Sequence, residues 1–234
     1  VEADWGTTST VDGDTSGCTG IDTRYVEYFD DAGHDFSDYG DSVPDEGTTV
    51  SSFSELNDEA SDGESETIIV SNDDYTGNGA VTVTDQDTII AQSQAGASVD
   101  GFIVDAEAEV RGFEVTGFET NAGDGTGIRV ASDGAEISHN TVSGIDESSD
   151  TRHGIHVFDA NNVKINYNLV DGVTNTDGGG AYGILVQADS DSVDVSYNTI
   201  RNVESQNGWA GAVSSSPSNT QGVTGTPNSL EVKF

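Results

Sequence analysis

Arg129 and His156 lie 27 residues apart, and Phe158 and Gln187 lie 29 apart, nearly one interval. Their types suit a sugar: an aromatic face stacks on the ring, while guanidinium, imidazole and amide groups bond its hydroxyls. Arg152, Tyr182 and Trp209 fall in the stretches leading into the same segments and add two rings and a cation. Trp, Tyr and Arg also dominate protein contacts, so a partner structural protein is the other ligand class that fits. The candidate ligand-binding residues are therefore Arg129, His156, Phe158, Tyr182, Gln187 and Trp209, and no residue is assigned a catalytic or metal-ligating role.

Metal chemistry has weaker footing. Strand alternation would place His153 inward and His156 outward, so the two would not share a zinc ion. Asp30, Asp31, His34, Asp35 and Asp38 offer the hard oxygen ligands that calcium takes. Their spacing follows no calcium loop and a solvated acidic loop accounts for them, so calcium is an optional ligand and no cofactor is implied. Cys18 is the single cysteine and there is no methionine, which excludes an intrachain disulfide and leaves soft metals without ligands.

The charge narrows the setting. Seven Lys and Arg stand against 43 Asp and Glu in 234 residues, a net charge of −36. In dilute buffer this load would repel itself; at about 1 M salt the Debye length falls to roughly 3 Å and the acids become a hydrated, soluble surface. The composition points to a halophile. Disorder is the other reading of such acidity, but the regularly spaced Val and Ile argue against it. Seven dispersed cations make no basic patch, which excludes nucleic acid and anionic membrane surfaces as partners. No apolar run approaches the roughly 18 residues a membrane helix needs, and no signal peptide is visible at the N-terminus. The missing methionine implies a processed start, by initiator removal or by cleavage of a targeting segment.

The elements that must position these side chains come from a repeat. Gly127-Ile128-Arg129-Val130 returns as Gly154-Ile155-His156-Val157, as Gly183-Ile184-Leu185-Val186 and, degraded, as Gly211-Ala212-Val213-Ser214, with steps of 27, 29 and 28. Each of the first three is followed by a short alternating run and then by a third strand containing Asn140, Asn168 or Asn198. Strands of about four residues between Gly-, Asn-, Asp- and Ser-rich turns bury nothing alone. Coiled and stacked at about 4.8 Å, they form long parallel sheets around a continuous core. Ile128, Val130, Ile155, Val157, Ile184 and Val186 then point inward, and Arg129, His156 and Leu185 outward.

An open stack exposes strand edges that need covering. Ser54 is placed to cap a short helix whose Phe53, Leu56 and Ala60 share a face able to close the N-terminal end. Residues 1–50 read as an acidic arm or attachment segment, 51–216 as the helical stack, and 217–234 as a tail. Within that tail Leu230 to Phe234 would return beside the last coil or pair with a neighbour.

The Gly-Ile-x-Val strand, the short strand after it and the Asn-x-(Val or Ile) turn together resemble the parallel β-helix repeat of the pectate-lyase-like superfamily. Ser54 to Ala60 and Thr67 to Val70 resemble its cap helix and first strand, and the likeness spans roughly residues 52 to 214. It implies an all-β fold: a right-handed parallel β-helix, or solenoid, of about five to six coils with a short N-terminal cap helix. It also implies a structural ladder of Asn140, Asn168 and Asn198, beginning there because Phe113 occupies that position one coil earlier. For activity the resemblance is weak, since the superfamily mixes lyases, hydrolases, adhesins and virion proteins. Its lyases pair an Arg or Lys base with calcium-binding acids; Arg129 fits the base, but no acidic trio accompanies it. Its hydrolases use two or three carboxylates, for which Asp124, Asp146 and Asp150 in the loops are the candidates, against a plain reading as halophilic surface.

The expected protein is a non-enzymatic exterior module of a haloarchaeal cell or virion, extracellular, without membrane insertion. It would bind a cell-surface glycan or a partner structural protein, and act as a homo-oligomer or within a larger assembly. A polysaccharide lyase or glycoside hydrolase is the alternative.

Overall fold

Strands of two to seven residues gain stability here only by stacking, and the computed structural model shows the stack. It describes residues 43–44, 46–120, 124–146, 151–176, 178–188, 190–206, 208–216 and 230–233. The fold is a parallel β-solenoid of about four turns with one short helix, slightly fewer turns than the five to six expected.

Three parallel sheets form its walls. Sheet A holds eight strands, from Thr48–Val50 and Thr67–Val70 through Glu136–Ser138 and Lys164–Asn166 to Leu230–Lys233. Sheet B holds five, Ser98–Val99, Glu114–Val115, Thr141–Ile145, Leu169–Asn175 and Thr199–Ser205. Sheet C runs Ala80–Val83, Gly101–Val104, Gly125–Val130, Arg152–Phe158, Ala181–Gln187 and Ala210–Ser216, with Phe118–Glu119 added antiparallel beside Gly125 and Thr126. The six Ile and Val residues expected to point inward are all fully buried. Each such side chain contributes about 1.5–3 kcal/mol by leaving water, which is what holds so many short strands together.

The repeats pair in the expected register, Ile128 opposite Ile155 and Ile155 opposite Ile184, with one correction. Val213 lies opposite Ile184, so Ala212 takes the glycine position and Gly211 faces Tyr182. The last step is therefore one residue longer than the glycine spacing implies: the inward Val213 sets the register because burying it outweighs keeping a glycine in line.

The asparagine ladder is present and begins at Asn140. Asn140 Nδ2 donates to Val110 O at 3.0 Å and to Asn168 Oδ1 at 3.1 Å, and Asn168 Nδ2 donates to Ile137 O at 2.9 Å and to Asn198 Oδ1 at 3.0 Å. Asn140 Oδ1 accepts the amide of buried Phe113 at 3.1 Å, so the ladder ends on the Phe113 backbone.

Helix α1, Phe53–Glu59, buries Leu56, and Ala60 follows it into the core. Its cap is Ser52, whose side chain accepts the Glu55 amide; Ser54 lies inside the first turn instead. The helix satisfies the edge of sheet C, because Thr82 N donates to Asn57 Oδ1 at 3.2 Å and Thr84 N to Ala60 O at 3.0 Å. Thr48–Val50, inside the stretch read as an arm, is the first strand of sheet A, paired with Thr67–Val70. At the other end Leu230–Lys233 pairs with Val193–Ser196 as the closing strand. The rest of the arm, including Cys18 and the Asp30 to Asp38 cluster, lies outside the described residues. Among the described residues no helix is long and apolar enough to cross a membrane.

Candidate functional site

The outward side of sheet C carries the candidate residues, and register decides which of them meet. Arg129, His156, Leu185 and Ser214 form one row across four coils. Thr126, His153, Tyr182 and Gly211 form a second, and Phe158, Gln187 and Ser216 a third. The first and third rows join: Arg129 Cζ sits 5.4 Å from the Phe158 ring centre, the His156 ring meets Phe158 edge-on at 5.8 Å, and His156 Nε2 lies 2.9 Å from Gln187 Oε1.

His153 is the residue that strand alternation misplaces. Its ring stacks on His156 at 4.3 Å and on Tyr182 at 6.0 Å, so both histidines are on the outer side. Gly154 explains the break. A Cβ there would run into Val170 Cγ1 and come within 2.6 Å of Gly183 O, so Gly154 faces the interior as Ile155 does, and the in-out alternation loses a step. Only a residue without a side chain tolerates that corner.

Both histidines are buried, which disfavours their charged forms. Burial holds His153 well below the ordinary histidine value, and repulsion from Arg152, and from His156 when that ring is protonated, adds to it. His156 is pushed down to about 4 by burial first, against the Gln187 hydrogen bond, with Arg129 lowering it further. Stacked imidazoles at this spacing make an apolar floor with polar edges, and among the described residues the one group of three possible metal ligands does not include them.

Beside this floor lies a cleft of about 390 Å³ lined by Asp124, Thr151, His153, Tyr182, Leu185, Gln187, Trp209, Ala210 and Ser214 to Ser216. Trp209 stands at its edge with 83 % of its surface exposed. The chain holds it there by close backbone packing: Gly208 N donates to Ser205 Oγ at 2.8 Å, Ser205 Oγ donates to Gly179 O at 2.8 Å, and a Cβ on Gly208 would overlap Gly179. Ala181 N then donates to Trp209 O at 2.8 Å. Tyr182 lies over Gly180, where any side chain would displace its ring.

Of the six candidates, Tyr182, Gln187 and Trp209 line the cleft, while Arg129, His156 and Phe158 form the adjoining cluster. Arg152 and Tyr182 belong to strands rather than to loops, and Arg152 is 1 % exposed, packed across Gly125. Among the hydrolase candidates Asp124 lines the cleft, Asp146 is exposed, and Asp150 lies outside the described residues. Sequence reasoning missed His153, Thr151 and the Ser214 to Ser216 wall. The glycine inside His153-Gly154-Ile155 was the available signal for the first; nothing marked the serines. No family model, characterised protein or solved structure matches this chain.

Proposed function

We propose that this protein is a non-enzymatic recognition module, displayed outside a halophilic cell or virion, that binds a glycan in the sheet C cleft. The carrying observation is Trp209: a large exposed ring on a closely packed stretch of backbone, at the edge of a cleft whose other walls include tyrosine, imidazole, amide and hydroxyl groups. Sugar rings need that combination of an apolar face with surrounding hydrogen-bonding groups. The acidic load supports the halophilic setting, since Asp87 is the sole carboxylate side chain that is buried among the described residues and the rest reach solvent at least in part. Assembly is part of the same reading: among the described residues Thr199–Ser205 and Ala210–Ser216 are the last strands of sheets B and C, the position at which a sheet can add a strand from a second chain.

The test is retention of the purified protein on haloarchaeal envelopes and on their released glycans in multimolar salt, with new sugar ends assayed in parallel. Retention by released glycans that Trp209→Ala abolishes supports the proposal. Retention by deglycosylated envelopes alone would assign the cleft to a protein partner. Asp124 supports a second reading, a glycoside hydrolase or lyase, because it places a carboxylate in the cleft. New reducing or unsaturated ends that disappear in Asp124→Asn would establish that reading in place of the first.

A further inference from the structure

The cleft beside Trp209 is marked as much by the charges kept out of it as by the groups that line it. Its walls hold the rings of Tyr182 and Trp209, the Gln187 amide and the hydroxyls of Thr151 and Ser214 to Ser216. Among the described residues the Asp124 carboxylate is the one formally charged side chain in the lining, and no Lys or Arg joins it. Burial disfavours the charged form of His153, so the imidazole in the lining supplies no cation either.

The cations whose side chains are described are held elsewhere. Arg111, Lys164 and Arg201 pair with Glu109, Glu136 and Asp171 on sheets A and B. Arg129 sits over the Phe158 ring, and His156 separates it from Leu185 in its row, so it stands two strand spacings, about 10 Å, from the nearest row member at the cleft. At about 1 M salt that is roughly three Debye lengths. Arg152 comes nearest. It lies opposite Gly125, whose amide donates to Thr151 O at 2.9 Å, so Asp124 and Arg152 flank the same bond on one wall. Arg152 is 1 % exposed and its Nη1 lies 3.4 Å from Thr151 O, on the protein side, out of reach of a ligand. One lining carboxylate and one buried guanidinium leave this wall without net charge.

We propose that the cleft selects uncharged sugars and rejects uronic acids and sulfated sugars. The selection rests on the glycan reading of the same cleft and gives the class of sugar it takes. In the high salt that the composition calls for, screening removes long-range attraction and repulsion, so only groups in contact with the ligand discriminate. A sugar carboxylate or sulfate entering this cleft gives up its water and meets no cation, and beside Asp124 it meets a like charge. Sugar hydroxyls have the opposite fit. They donate to Asp124, an acceptor when ionised, and exchange hydrogen bonds with Thr151 and the serines, while the C–H face of the ring lies on Trp209.

The experiment immobilises the full chain in fixed multimolar NaCl and offers it two matched sets of probes. One set is neutral hexose oligosaccharides; the other is oligomers of the corresponding uronic acids and sulfate esters, of equal length. Envelope glycans, separated beforehand into neutral and acidic pools, are run alongside. Neutral oligosaccharides should be retained, and their acidic counterparts should bind about tenfold more weakly or worse. Ser214→Lys places a cation in the row beside Leu185 and should raise the binding of acidic oligomers about tenfold. Asp124→Asn removes the like charge and should narrow the gap between the two sets, and thermal melts followed by circular dichroism check that each variant folds. Acidic probes held as tightly as neutral ones by the parent, and released by Trp209→Ala, would overturn the selection while leaving the glycan site standing. A ratio that neither folded variant shifts would overturn it as well. Retention of neither set would remove the glycan reading and the selection together.

Discussion

The early turns of the solenoid are short and the later ones long, and the difference separates what the fold requires from what the surface uses. Thr67 lies opposite Thr88 and Thr88 opposite Glu109, steps of 21 residues. Glu109, Glu136, Lys164 and Asp194 then follow at 27, 28 and 30. In the second short turn Asp100 alone separates sheet B from sheet C. In the longer ones that corner opens into residues 116–124, 146–151, 176–180 and 206–209, and sheet B strands lengthen from two residues to as many as seven. Both kinds of turn enclose the same fully buried Ile and Val core. Twenty-one residues are therefore enough to build a coil; the leg from sheet B to sheet C, which carries Asp124, Thr151 and Trp209, lengthens most, and the leg from sheet C to sheet A lengthens less.

The sharpest way to break the comparison is at the corner between sheets A and B. The long turns have the buried asparagine ladder, whereas the short turns have an exposed contact, Ser93 Oγ to Asn72 Oδ1 at 3.0 Å. Asn168→Ala leaves the buried Asn140 amide without its acceptor and removes the side-chain bond to the Ile137 carbonyl, so it should cost about 2–3 kcal/mol. Asn72→Ala should cost about 0.5 kcal/mol or less, and denaturant midpoints of the two variants measure the gap.

Gly154→Ala comes next. Its methyl group would press on Val170 and the Gly183 carbonyl, for an expected loss of about 2–3 kcal/mol in the same unfolding assay. The change should also disturb the His153 stack, visible as altered imidazole chemical shifts.

Acid sharpens the comparison through the histidines, which lie in the long turns. Both have folded pKa values below 6.5, so between pH 6.5 and about 4 the unfolded chain binds more protons. Their contribution is complete above pH 6.5 and is lost as pH falls through that window, at up to about 1.4 kcal/mol per pH unit for each. The double variant His153→Gln, His156→Gln should flatten Tm against pH there, relative to the parent. Trp209→Ala has the smallest effect on stability, within about 0.5 kcal/mol, because the ring is exposed; glycan retention should nonetheless fall at least about tenfold.

The legible features are those each coil must repeat. Ile128, Ile155 and Ile184 face the core because every turn buries the same positions, and Asn140, Asn168 and Asn198 recur because every later turn leaves the same backbone groups to satisfy. Features resting on a single local event were not legible. Gly154 looked like one more repeat glycine, yet it turns inward and brings His153 out beside His156. Gly211 looked like the fourth, yet Val213 governs its register. Ser52 rather than Ser54 caps α1 because its extended backbone, φ −144° and ψ 156°, leaves the hydroxyl facing the Glu55 amide.

By itself the sequence determined a stacked β-coil with a Val and Ile core, an asparagine ladder and a strongly acidic surface, since burial and backbone satisfaction impose those patterns on every turn. Only the tertiary structure decided that His153 joins His156, that Trp209 stands beside Tyr182 at a cleft, and that Asp87 lies buried under Glu66. Each of those meetings depends on a neighbour a full coil away and on one corner of the chain, and no local periodicity encodes either.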